Sequence, residues 1–121
     1  MWETEKTEHF ESRQEYYAKK RPRELKAVLE NLRRYTEALQ EGTNPRQAKF
    51  GFLHPEPGGV LAIDQKGGAK GLAQTRLYVY LHQEILYLLT LGDKRSQKDD
   101  LKYCAKTIKE IRKRRGDKDG E

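Results

Sequence analysis

The amino-acid sequence predicts an α+β domain in which a small antiparallel sheet is packed by an N-terminal helical hairpin and a C-terminal helix. Three observations carry that reading. Apolar residues recur at three- and four-residue intervals before residue 40 and again after residue 97, the spacing of one buried helix face. Between these stretches lie Val60-Leu61-Ala62-Ile63, Leu77-Tyr78-Val79-Tyr80-Leu81 and Ile85-Leu86-Tyr87-Leu88-Leu89, short apolar runs of strand length. Helical and extended segments are also segregated along the chain, which points to helices covering one face of an antiparallel sheet.

Each element has a local cause. Residues 2–6 suit a short edge strand, and Thr7 is placed to cap a helix starting near Glu8 that puts Phe10 and Tyr17 on one side. Pro22 suits the first turn of a second helix with the stripe Leu25, Val28, Leu29, Leu32, Tyr35, Thr36 and Leu39, ended by Gly42. From Asn44-Pro45 to Gly59 the chain reads as irregular, with Pro55, Pro57, Gly58 and Gly59 closing a loop around His54, a surface position. Val60 to Ile63 is a strand, and Lys66-Gly67-Gly68-Ala69-Lys70-Gly71 is a flexible connection without the Gly-Lys-Ser/Thr ending of a Walker loop. Thr75 to Leu81 and Ile85 to Leu91 form a tight hairpin across His82-Gln83-Glu84. After Gly92, Ser96 and Asp99 suit a capping box for a helix whose buried face is Leu101, Cys104, Ala105, Ile108 and Ile111.

With 121 residues, 35% of them hydrophobic, the chain supports one core, read here as a single domain over residues 1–115 with a loose tail over 116–121. No run approaches the roughly 18 apolar residues of a membrane span, and the acidic start lacks the pattern of a signal peptide, so a cytoplasmic protein without membrane contact is expected. The single Cys104 forms no internal disulfide, and its place on an apolar helix face favours core packing. No His, Cys or Asp spacing suits a metal, and no cofactor is expected.

Charge is concentrated. Of a net +6, residues 94–115 alone hold 10 Lys and Arg against 3 Asp and Glu, so the excess sits on the last helix and its entry turn. Such a footprint fits a polyanion, an acidic protein partner or a merely solvated helix face. Arg76, at the start of the hairpin, joins Lys66, Lys70, Lys94 and Arg95 at one edge of the sheet, a set suited to phosphates; a salt bridge from Arg76 to Asp64 or Asp93 is the alternative. Tyr78, Tyr80 and Tyr87 fit core packing better than base stacking.

The stretch Lys66 to Glu110, with Gln74-Thr75-Arg76-Leu77-Tyr78-Val79-Tyr80, Leu86-Tyr87-Leu88-Leu89-Thr90-Leu91 and Lys94-Arg95-Ser96-Gln97-Lys98-Asp99-Asp100-Leu101, resembles the RelE/HigB-like toxins of bacterial type II toxin-antitoxin modules. The resemblance implies a microbial-ribonuclease-like α+β domain that cleaves mRNA, typically on the ribosome, with a cognate antitoxin as partner. The related ParE-like branch poisons DNA gyrase on the same scaffold without being a nuclease. Carried over residue by residue, Arg76 matches the arginine that contacts the scissile phosphate, and Lys94 matches the basic residue after the last hairpin strand, with Arg95 beside it. Lys66 or Lys70 answers to the family's preceding cations, and Tyr103 to a tyrosine near the end of some members. The histidine- and aspartate-rich ending of some HigB members is absent, so that acid/base assignment is not carried over.

Chemistry fits the implied activity. RNA carries its own nucleophile, so a base for the 2′-OH, cations for the phosphorane-like transition state and an acid for the 5′ oxygen suffice without metal. Crowded cations depress a lysine pKa, which would suit Lys66 or Lys94 to acid/base work, while Arg76 serves as a clamp. Lys98 and Lys102 would contact phosphates without reading sequence. A ParE-like toxin acting on a protein target and a basic nucleic-acid-binding module without catalysis are the competing expectations.

Overall fold

The computed structural model describes residues 2–65 and 72–115. In chain order these form β1 (Glu3–Lys6), α1 (Glu8–Lys20), α2 (Pro22–Gln40), β2 (Leu53–Pro55), a 3-10 turn (Pro57–Gly59), β3 (Val60–Gln65), β4 (Thr75–His82), β5 (Ile85–Gly92) and α3 (Gln97–Arg114). The α+β class is as the sequence predicts.

Local chemistry sets the helix ends. Thr7 is extended, and its Oγ1 accepts the Phe10 N–H at 3.0 Å, which satisfies one of the free donors of the first turn of α1. The same hydroxyl donates to the Leu89 carbonyl at 3.0 Å, so the cap also ties α1 to the sheet. Pro22 occupies the first turn of α2, and Gly42 ends it with φ +95, a left-handed conformation that glycine adopts without a steric cost. At α3 the expected capping box is not formed. Asp93 intercepts that role, because its Oδ1 accepts the N–H groups of Arg95 (2.9 Å) and Ser96 (3.0 Å). Ser96 Oγ is turned instead to Asp100 Oδ2 at 2.6 Å.

The strand order is β1-β5-β4-β3-β2. From β2 to β5 each strand is antiparallel to the one before it, whereas β1 runs parallel to β5, so the sheet is mixed rather than wholly antiparallel. The reason is the route: after β1 the chain crosses over through α1 and α2, enters at the far edge, and meanders back until β5 lies beside β1. Strand β2 falls in the segment expected to be irregular; only its pairing with β3, Leu53 opposite Ile63 and His54 opposite Ala62, makes it a strand. The β4–β5 hairpin turns on two residues rather than three, Gln83 (φ 50) and Glu84 (φ 62), both in the left-handed region that such a turn demands.

A further correction concerns the faces. Leu77, Val79, Leu86, Leu88 and Ile63 pack with Phe10, Tyr17, Leu25, Val28, Tyr35 and Leu39 of α1 and α2. Tyr78, Tyr80, Tyr87, Leu89, Val60 and Ala62 pack with Cys104, Ile108 and Ile111 of α3. Strand side chains alternate, so these two clusters are opposite faces, and the helices sandwich the sheet rather than sharing one side. The three tyrosines are core, as is Cys104, whose thiol burial pushes up to about 12. A bulge at Leu89 between the pairs Tyr78/Thr90 and Val79/Leu88 keeps both halves of β5 in phase with these faces.

Candidate functional site

On the α3 side of the sheet, period-two alternation brings His54, Asp64, Arg76 and Tyr78 onto the same face as Ala62, since His54 pairs with Ala62, Asp64 with Arg76, and Ala62 with Tyr78. His54 Nε2 lies 3.1 Å from Asp64 Oδ2, and Arg76 Nε lies 3.5 Å from Asp64 Oδ1. Arg76 Nη1 reaches Glu56 Oε2 at 4.0 Å. The result is a compact row of imidazole, carboxylate and guanidinium across three neighbouring strands, with a second carboxylate on its flank.

The scaffold beneath this row is pinned. The Asp64 N–H donates to the Phe52 carbonyl and the Asp64 carbonyl accepts from Asn31 Nδ2, each at 2.8 Å, so both adjoining elements fix its backbone. The Glu56 N–H donates to the Val60 carbonyl at 2.8 Å and closes the turn between β2 and β3. Glu24, in the first turn of α2, accepts the Ala73 N–H at 2.9 Å, and this bond holds its carboxyl below the usual range while anchoring the approach to Arg76. Asp64 is almost wholly buried, with 4% of its side chain exposed, against 44% for His54. The half-exposed His54 imidazole is thus held through Nε2 by a buried carboxylate behind it.

Three buried polar atoms, Asp64 Oδ1, Arg76 Nε and Tyr78 Oη, have no hydrogen-bond partner among the described residues. The 3.5 Å Arg76–Asp64 contact is thus an ion pair without hydrogen-bond geometry. Asp64 Oδ1 and Arg76 Nε still face each other as an ion pair, so the row is a buried polar cluster held together by charge. Burial raises the Tyr78 pKa, with Asp100 adding to the shift and Arg76 opposing it, so Tyr78 remains a neutral donor. The Arg76 guanidinium beside a carboxylate-backed imidazole is a pair that can hold an oxyanion and exchange a proton with it.

The other predicted residues divide. Arg76 takes part in this cluster, and of the two salt-bridge partners the sequence suggested it is Asp64, not Asp93, that it meets. Lys94 and Arg95 are exposed in the turn after Gly92, whose register partner is Arg76, so the end of β5 delivers both cations to the same end of the sheet as Arg76. Lys98 and Lys102 are exposed on α3. Lys66 and Lys70 lie outside the described residues. Tyr103 is not part of this site: it stacks on His9 of α1 at 4.0 Å and lines a separate cavity of about 330 Å³ with Glu5, Lys6 and Tyr87, on the β1 side of α3. Sequence reasoning missed His54 as a partner of Asp64, and with it Glu56. The available signal was the His-x-Glu spacing, which puts both side chains on one face once the segment is extended.

Among the described residues, no group of three or more His, Cys, Asp or Glu side chains is placed to hold a metal ion, and no helix is long and apolar enough to cross a membrane. No family model matches the chain, and neither a curated protein nor a solved structure matches it.

Proposed function

We propose that this chain is the toxin component of a type II toxin-antitoxin module, an endoribonuclease that cleaves mRNA and stops translation without a metal ion. The observation that carries the reading is the row of His54, Asp64 and Arg76, which sets a half-exposed imidazole and a guanidinium on either side of one buried carboxylate. The resemblance of the stretch Lys66 to Glu110 to RelE/HigB-like toxins supports the same class.

In the proposed reaction the RNA 2′-oxygen attacks its own phosphorus. His54 Nδ1 takes the 2′-OH proton, and Asp64 stabilises the imidazolium that forms. A 2′-O–P bond is made while the P–O5′ bond breaks, leaving a 2′,3′-cyclic phosphate and a 5′-oxygen that accepts a proton from Lys94. Arg76, whose side chain keeps a solvent-facing part, donates to the non-bridging oxygens, where negative charge accumulates. Arg95, Lys98 and Lys102 would steer the flanking phosphates. With this activity go a cytoplasmic location, mRNA presented by the ribosome, and an antitoxin whose acidic segment occludes the basic surface.

One observation favours the second reading, a ParE-like toxin that binds a protein such as gyrase. Glu56 and Asp64 already flank the Arg76 guanidinium with two carboxylates, a fitting end for a residue whose task is structural. Inducing wild type and Arg76→Ala in a bacterial host while mapping mRNA 5′ ends separates the two. New cleavage sites with growth arrest, both lost in the variant, are expected. Arrest with intact mRNA would transfer the assignment to a protein target.

A further inference from the structure

The outward face of α3 carries Lys98, Lys102, Lys106, Lys109 and Lys113, all exposed. At 3.6 residues per turn the five fall within an arc of about 80°, centred opposite the buried stripe of Asp100, Cys104, Thr107, Ile108 and Ile111. Successive lysines are three or four residues apart, about 5–6 Å of helix rise, and the row runs about 22 Å. Among the described residues none of them has an ion-pair partner, and the acidic neighbours Asp99 and Glu110 stand together at one margin of the row, the margin that turns towards the β1-side cavity. The other margin, Leu101, Ala105 and Arg112, carries no acid. Helix α2 provides the contrast: its exposed Arg33 is held by Glu30 (2.5 Å) and Glu37 (2.6 Å), as surface charges on a solvated face commonly are.

A straight, unneutralised cation row repels itself and persists at a cost to the helix, so it is suited to a ligand that brings a matching line of anions. Composition narrows the ligand. A surface for unpaired bases needs aromatic side chains on which they stack, and the only aromatic of α3, Tyr103, is turned away onto His9. Lysine heads on a convex helix contact phosphates and read no base.

We propose that the lysine face of α3 is a second RNA-binding surface that holds the phosphate backbone of double-helical RNA, separate from the cluster at His54 and Arg76. The choice of RNA over DNA rests on the nuclease reading; the phosphate chemistry does not. The surface docks a folded RNA by shape and charge while the single strand to be cut enters beside Arg76; Lys98 and Lys102 lie between the two, and Lys106, Lys109 and Lys113 serve docking alone.

The test compares the full-length wild type with K106Q/K109Q/K113Q, whose glutamines retain helix propensity. Binding is titrated against salt with a 20-base-pair RNA duplex, the DNA duplex of the same sequence and single-stranded RNA, alongside cleavage of a short unpaired RNA. For the variant, duplex RNA binding is expected to weaken about tenfold or more at physiological salt, and the slope of log affinity against log salt to flatten by about 2–3. Cleavage of the short RNA is expected to stay unchanged. An unchanged slope overturns the proposal, and so does wild-type binding that is as tight for the DNA duplex or tighter for the single strand. Duplex affinity that is lost in the variant, with RNA left intact by wild type, supports this surface and refutes the nuclease reading instead.

Discussion

Adjacent residues of the central strands face two different worlds. Ile63 and Leu77 pair across β3 and β4, are wholly buried, and lie under α2; their neighbours Asp64 and Arg76 pair one step along and face the α3 side. There α3 packs chiefly against β5, and its buried face also meets Val60, Ala62 and Tyr78 of β3 and β4. A sheet covered evenly on both faces reads as continuous apolar runs, so the shift from Ile63 to Asp64 and from Leu77 to Arg76 marks where a buried polar row replaces the apolar one. The difference teaches that a polar row at the end of a sandwiched sheet holds its charges rigid and buried while His54, at the edge strand, stays reachable.

The sharpest way to test the contrast is through the exposed side. His54→Ala is expected to lower RNA cleavage by about 10²–10⁴-fold, the usual contribution of a positioned acid or base, with a smaller loss of stability of about 1–3 kcal/mol because the buried Asp64 carboxylate loses its imidazole partner. Wild-type cleavage by that variant would remove His54 from the chemistry. On the covered side the result should invert: Leu77→Ala is expected to cost about 2–5 kcal/mol in denaturant unfolding, since a wholly buried leucine leaves a cavity under α2.

Two smaller effects probe the boundary between the faces, at the end of β5. A Cβ at Gly92 would run into the Asp100 carboxylate and the Ser96 hydroxyl, so Gly92→Ala is expected to cost about 1–3 kcal/mol by overpacking, read as a lowered denaturation midpoint. Asp100 itself has its pKa raised, chiefly by burial, against a partial lowering by the Ser96 hydrogen bond. A raised folded-state pKa means that the native protein holds this proton more tightly than the unfolded chain. Stability from this group is therefore present below about pH 4, the unfolded carboxyl range, and declines as pH rises through the folded pKa. Asp100→Asn is expected to remove that decline; an unaltered pH–stability profile would show that Asp100 is solvated.

Much of the covered side was legible in the sequence, because its causes are local. The stripe from Leu25 to Leu39, the Thr7 cap and the alternation of the β4–β5 hairpin each follow from spacing within a few residues. A periodic stripe shows that a helix has an apolar face without showing which side of the sheet will receive it, so α3 could not be placed. Strand β2 is three residues ending in proline and exists only by pairing with β3, and without that pairing His54 has no route to Asp64. Arg76 was visible because it opens a strongly apolar strand; its carboxylate neighbours depended on register. Ser96 misled for a related reason, since Asp93 and Asp100 compete for the bonds a capping box would use.

The parallel seam between β1 and β5 has a bearing on how the chain comes to be assembled. Thr7 is bonded to Leu89, 82 residues further on, and Glu3 to Lys6 pair with Ile85 to Leu88. During synthesis the first strand must wait, unpaired, until the last one has been made, and contacts so distant in sequence form late because the long loop must be closed first. The β4–β5 hairpin supplies the nearest local nucleus, and β1 docks onto its finished edge. A chain stalled before residue 85 would therefore expose the side of α1 and the lone strand that this seam covers, so its maturation is tied to completion of nearly the whole described fold.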